Sequence, residues 1–278
     1  MAWQNLSTDW QITWLNLLAL ASIALVMKAI ALLAGPRCRA AAHDRQVVRH
    51  QSEKSSGNRS LQFLFSPLLA PNSLERSQPL SAMPRFLLRG GACLGALILY
   101  YWIYWKLVDA FQLRGLALSY LCAPAVLLMS EVFIAGVTIL WLPSGRLLPV
   151  LHRNPFAARS VADFWGRHWN LWMSDWFRDA IFKPLRRRPV LAVWLIFFLS
   201  GLLHEYVLNL ALWFVTGRKL FGTMMLYFLL QAAGVLLERR FLKEHARANL
   251  LFTWLIVLAP VPLVFHESML RTIHLWPE

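Results

Sequence analysis

A chain of 278 residues that is 58% hydrophobic and 15% charged, with a mean hydropathy of +0.48, is too apolar for a soluble domain. The net charge of +14 raises nucleic acid as a partner, but the basic residues lie in segments between long apolar runs, which argues for a membrane and against nucleic acid. Cys38, Cys93 and Cys122 are scattered, which excludes a disulfide framework and a C-x-x-C metal site.

Six apolar runs, 12–34, 86–105, 116–141, 190–214, 220–237 and 249–265, are each near the ~20 residues that cross a bilayer core. They predict an all-α polytopic membrane helical bundle, one integral membrane domain over 1–278 with about six spans. The first run has no basic segment before it and reads as a retained span. Segment 35–85 reads as a cytoplasmic loop, disordered over its polar, Ser-rich part and turn-rich where four prolines precede the second span. Glu131 lies inside the third run and can line a substrate cavity with the fourth run or pair with Lys28 or Arg89. Segment 142–189 reads as cytoplasmic and interfacial, and Glu238, Arg239 and Arg240 as a solvated span end.

Segments 35–85, 142–189 and 238–248 carry 21 Lys and Arg residues, and 106–115, 215–219 and 266–278 carry 5. Six spans put the three rich segments on one side, which is cytoplasmic by the positive-inside rule, so both termini face out. Basic loops also attract anionic lipid or a phosphate-bearing substrate.

Within 142–189, Trp165, Trp169, Trp172 and Trp176 recur at spacings of four, three and four. Asp163, Arg167, Asn170, Ser174 and Arg178 recur on the opposite face of the same helical wheel. The pattern predicts one amphipathic interfacial helix, its Trp face toward lipid or protein, ended by Lys183-Pro184 and followed by the anchoring Arg186 to Arg188. A plain membrane anchor with a solvated polar face is the alternative.

The next span holds FFLSGLLHEYV (197–207). Ionisable residues at membrane depth are expensive and mark functional sites. His204 lies near mid-membrane, with Ser200 one turn before it and Gly201 open to close approach by a helix or a substrate chain. Glu205 and Asn209 share a second polar face. A neutral imidazole can take a proton from an alcohol and return it, which makes His204 the candidate general base. The alternative is a packed histidine with Glu205 as its buried partner. His266 and Glu267, at the outer end of the last run, read as interfacial.

FWGRHWN (164–170), followed about thirty residues later by FLSGLLHE (198–205), resembles the membrane-bound O-acyltransferase superfamily and, more narrowly, its wax-synthase branch. Arg178 and Pro184 match an Arg and a Pro that follow the first motif in that branch, whereas His168 departs from the basic residue expected there. The resemblance implies transfer of an acyl group from a thioester, acyl-CoA, to the hydroxyl of an alcohol or lipid acceptor. It implies His204 and Asn170 as catalytic residues, with His204 the base and Asn170 orienting the thioester or its oxyanion. Arg167 and Arg178 would attract the CoA phosphates, Trp169 would help line an acyl tunnel, and Ser200 and Glu205 would join the substrate site. Acyl-CoA enters as a co-substrate, and no cofactor or metal is implied. A carrier or lipid-binding membrane protein is the competing class. An intramembrane serine protease fits less well, because Phe198-Leu199 precede Ser200 where G-x-S-G is needed. Short loops without targeting signals fit a bacterial inner membrane better than an endoplasmic reticulum.

Overall fold

Residues 6–40, 77–242 and 244–277 are described by the computed structural model of the chain, residues 31–40 as backbone alone. Positions 41–76, most of the expected cytoplasmic loop, lie outside the described residues.

Helix α1 (Thr8–Ala40) is followed by a helical hairpin of α2 (Met83–Phe111) and α3 (Leu116–Trp141). The hairpin turns at Gln112, held at φ 48°, and Gly115, at φ 58°. Its helices meet closely at Gly90, where an added Cβ would lie 2.8 Å from the Ala135 Cβ. A two-residue strand β1 (Gln78–Pro79) before the hairpin pairs antiparallel with β2 (Arg146–Leu147) after it, clasping the hairpin's open end.

The central segment begins with α4 (Val161–Asp163), which runs into a π turn at Phe164–His168. Helix α5 (Leu171–Phe177) runs into a second π turn at Arg178–Phe182. Helix α6 (Pro189–His204) continues through a π turn at Glu205–Asn209 into α7 (Leu210–Thr216). Helix α8 (Thr223–Leu237) ends in a π turn at Glu238–Leu242, and α9 (Ala246–Leu258) and α10 (Glu267–Thr272) complete the chain.

Five of these stretches, Thr8–Ile30, Leu80–Phe111, Leu116–Ser144, Pro189–Thr216 and Ala246–Leu263, are long and apolar enough to cross a membrane. The outward faces of the bundle are themselves apolar: Leu88 is 75% exposed and Leu140 81%. A soluble surface of that kind would be an aggregation hazard, whereas in lipid it is the solvated side. The fifth expected span, 220–237, corresponds to α8, whose α-helical part has only 15 residues. The cause is its start. Residues 217–222 fold back, so that Gly222 N–H and Met225 N–H donate to Glu205 Oε1 at 2.9 and 3.0 Å. The helix is capped by a carboxylate inside the bundle.

Helix α6 packs along α8 over the core side chains Val193, Phe197, Tyr227, Phe228 and Ala232, with Val161 of α4 closing the cluster. The contact is closest at Gly201, where a Cβ would lie 2.9 Å from the Met225 Cα. Of the two uses expected for this glycine, the structure shows the approach of a helix.

β1 with β2, and Glu238 with Val161 and Ala162, join described parts of the three basic segments at one end of the bundle. At the other end Arg271 pairs with Asp9 at 2.9 Å, and the Tyr104 hydroxyl donates to the Leu275 carbonyl at 2.6 Å.

Candidate active site

The first motif is not one helix. Asn170 sits in the left-handed region, φ 40°, ψ 63°, and breaks the predicted helix between the π turn and α5. Asparagine tolerates this conformation better than most residues because its short amide bonds locally. Here Asn170 Oδ1 accepts from Met173 N–H at 3.3 Å and caps α5. The π turn before it closes through Trp169 N–H to the Phe164 carbonyl, 2.9 Å. The expected Trp stripe faces protein: Trp172 and Trp176 are buried, and the Trp165 indole N–H donates to Gln231 Oε1 of α8 at 3.1 Å.

Buried Glu238 holds the start of this segment, its carboxylate accepting from Val161 N–H at 2.6 Å and Ala162 N–H at 2.9 Å. It is a helix cap and not the solvated span end expected. A residue that ends one helix while capping another gives no periodic signal, so its sequence context could not reveal it.

On the polar side, Arg167 Nε donates to Asp163 Oδ1 at 2.6 Å, and His168 lies 3.4 Å from Asp163 Oδ2. Burial works to raise the Asp163 carboxyl. The hydrogen bond from Arg159 N–H, the Arg167 side chain and the neighbouring His168 outweigh it and hold the group below its ordinary range. Arg178 is paired with Asp175. Arg89 pairs with Glu131 at 2.6 Å, one of the two partners expected for that carboxylate.

His204 is half-buried at the end of α6, its ring 4.5 Å from that of Phe228. Its Nδ1 lies 2.7 Å from the Ser200 carbonyl oxygen. A carbonyl only accepts, so Nδ1 carries the proton, and in the neutral ring Nε2 is the basic nitrogen. Among the described residues Nε2 has no hydrogen-bond partner. Ser200 thus orients the ring through its backbone. The second face of α6 is structural. Buried Glu205 caps α8 through Oε1 and accepts from Asn209 Nδ2 through Oε2 at 2.6 Å, and Asn209 Oδ1 accepts from the Ser268 hydroxyl at 2.8 Å.

No hydrogen bond or ring contact joins His204 directly to Asn170 among the described residues. A chain of ring contacts links their surroundings: His204 to Phe228, Phe228 to Trp165, Trp165 to Phe164, and Phe164 stacked on Trp169 at 5.8 Å. The Asn170 side-chain nitrogen Nδ2, like His204 Nε2, has no hydrogen-bond partner among the described residues.

Residues 148–230, which hold both motifs, match the family described as "Membrane bound O-acyl transferase family". This stretch is similar to that family. Curated relatives of the chain include "Probable long-chain-alcohol O-fatty-acyltransferase 8" of Arabidopsis thaliana, 39% identical over 64 residues, 19% of each chain. "Long-chain-alcohol O-fatty-acyltransferase" of Simmondsia chinensis is 39% identical over 64 residues, 19% of this chain and 18% of its own. "Probable long-chain-alcohol O-fatty-acyltransferase 1" of Arabidopsis thaliana is 27% identical over 146 residues, 49% of this chain and 41% of its own. The matches therefore span between about a fifth and two-fifths of the relatives' length. No solved structure matches. The relatives are plant proteins, so they give no support to a bacterial inner membrane; five long apolar helices and the likeness to a membrane-bound family support a multi-pass membrane protein.

One residue that sequence reasoning missed is His152, which is buried and receives the Asn170 N–H on Nδ1 at 3.2 Å. It precedes the motif by a loop, in no periodic relation to it. Gln231 was also missed, although a glutamine inside an apolar run is a visible signal.

Proposed function

We propose that the chain transfers a fatty acyl group from acyl-CoA to the hydroxyl of an alcohol or lipid acceptor, with His204 as general base. The observation that carries this reading is the pinned imidazole. Ser200 fixes the ring through Nδ1–H and leaves a bare Nε2 inside a membrane helix. The acceptor O–H gives its proton to Nε2 while its oxygen attacks the thioester carbonyl carbon. The oxyanion that forms takes a hydrogen bond from the Asn170 amide nitrogen, a preorganised donor of the kind worth about 10²–10³-fold in rate. The C–S bond then breaks, and Nε2–H returns the proton to the departing thiolate of CoA. The balance needs no cofactor or metal. Exposed Arg167 and Arg178 would attract the CoA phosphates, and Trp169 would border the acyl chain. The relatives' names support a long-chain alcohol as acceptor.

The test is incubation of the purified full chain, reconstituted in lipid nanodiscs, with labelled palmitoyl-CoA and a panel of fatty alcohols, sterols and diacylglycerol, following free CoA and labelled ester. Alcohol-dependent CoA release with equimolar ester is the expected result. A carrier would bind acyl-CoA and release no CoA with any acceptor.

A further inference from the structure

We propose that His152 is a positioning residue for Asn170: its buried neutral ring holds the Asn170 backbone in the left-handed conformation that aims the amide at the thioester. The proposal rests on the acyl-transfer reading above. Asn170 is the one residue of the motif in a sparsely populated backbone region, and such conformations persist only where the surroundings over-determine them. The surroundings here are the strap 151–153. Leu171 N–H donates to the Leu151 carbonyl at 2.8 Å, and Arg153 N–H donates to the His168 carbonyl at 2.9 Å. His168 Nδ1 lies 2.5 Å from the Arg153 carbonyl. Between these bonds the Asn170 N–H, which α5 leaves without a helical partner, meets His152 Nδ1 at 3.2 Å.

The other ring nitrogen fixes the tautomer. With Nδ1 accepting, Nε2 carries the proton and donates to Ser130 Oγ at 3.0 Å, and the Ser130 hydroxyl donates to the Leu127 carbonyl at 2.7 Å. The ring packs 4.4 Å from that of Trp169. A chain of three donors and three acceptors thus runs from helix α3 to the motif with no atom left over. Both nitrogens are engaged, so His152 is not itself a base. Burial and the nearby Arg89 lower its pKa to about 4, which keeps the ring neutral, and only the neutral ring accepts at Nδ1.

The experiment compares the reconstituted wild-type chain with His152→Phe, His152→Asn, Asn170→Ala and the double variant His152→Phe/Asn170→Ala. It measures kcat, the KM for acyl-CoA and the melting temperature. Phenylalanine keeps the ring and removes the acceptor; asparagine keeps an acceptor oxygen near the position of Nδ1. His152→Phe is expected to lower kcat about 10- to 100-fold, the cost of an ångström-scale misplacement, with the KM for acyl-CoA within about twofold. His152→Asn is expected within about threefold of wild type. In the Asn170→Ala background His152→Phe is expected to cost less than about twofold more, because the two residues act as one unit. Wild-type kcat in His152→Phe, alongside an impaired Asn170→Ala, overturns the proposal and leaves the acyl-transfer reading standing. So does a double variant whose losses multiply. Wild-type kcat in Asn170→Ala removes Asn170 from the reaction and overturns the proposal while the acyl-transfer reading stands; that reading fails only where the wild-type chain itself releases no CoA with any acceptor. If His152→Phe does not fold, Ser130→Ala loosens the same ring from its far side; an unchanged kcat there also overturns the proposal.

Discussion

Gly201 tests the helix contact that carries His204. In Gly201→Ala the new Cβ lies 2.8 Å from the Met225 Sδ and 2.9 Å from the Met225 Cα. Carbon pairs at optimum sit about 3.5–4.0 Å apart, so the clash is 0.6 Å or more. The thioether could swing away, but the Cα belongs to the first turn of α8, which Glu205 holds in place. The helices must therefore separate, and overpacking of this kind costs about 1–3 kcal/mol. The intrinsic preference of helices for alanine over glycine returns roughly 1 kcal/mol at most. Gly91 and Gly95 of α2 have nothing within 4 Å and serve as controls, since alanine there gains the propensity and meets no clash. Thermal unfolding of the purified variants, at one scan rate and in one detergent, should show Gly201→Ala melting several degrees below wild type. Gly91→Ala and Gly95→Ala should match or exceed wild type. A Gly201→Ala protein as stable as the controls would refute the reasoning.

Glu205→Ala removes the acceptor for Gly222 N–H and Met225 N–H, leaving these donors unpaired at about 1–3 kcal/mol each where water does not reach them, while Asn209 Nδ2 keeps the Leu220 carbonyl. A lowered melting temperature is expected, milder in Glu205→Gln, whose KM for acyl-CoA should stay near wild type; a large rise in that KM would make Glu205 a substrate ligand. Acid should weaken the fold through His152, whose folded pKa of about 4 lies below the ordinary 6.5. The unfolded chain binds a proton that the folded one excludes across pH 4 to 6.5, so stability is full above about 6.5 and falls as pH drops toward 4. At 1.36 kcal/mol per unit the loss reaches about 3 kcal/mol. His266, also lowered to about 4 by burial against the opposing Glu205 and Glu267, adds in the same direction. Melting temperatures at pH 7.5 and 5.0 should therefore fall more for wild type than for His152→Asn, and an equal fall would contradict the assignment.

The parts legible in the sequence were those carried by local period or by charge count. The helix at 197–204 keeps a 3.6-residue period, so Ser200 and His204 fell on one face and bonded as spacing implies. Asn209 and Glu205 likewise met on the second face. The interruption at Asn170 was not legible, because it depends on bonds from Leu151 and His152, residues with no periodic tie to the motif. That the run 220–237 is short was visible in its length, whereas its cap was not, because Glu205 comes from another helix. The Trp spacing predicted one helix where Asn170 makes a break, and it did not distinguish lipid from protein as the neighbour; burial of Trp172 and Trp176 decides for protein.

The central claim is that the bare Nε2 of His204 takes the acceptor's proton. Its most direct measurement is the rate of CoA release from palmitoyl-CoA, with a fatty alcohol present, by purified His204→Ala and His204→Gln proteins whose melting temperatures match wild type. The account predicts release indistinguishable from the uncatalysed background in both. Release at the wild-type rate in either would contradict it.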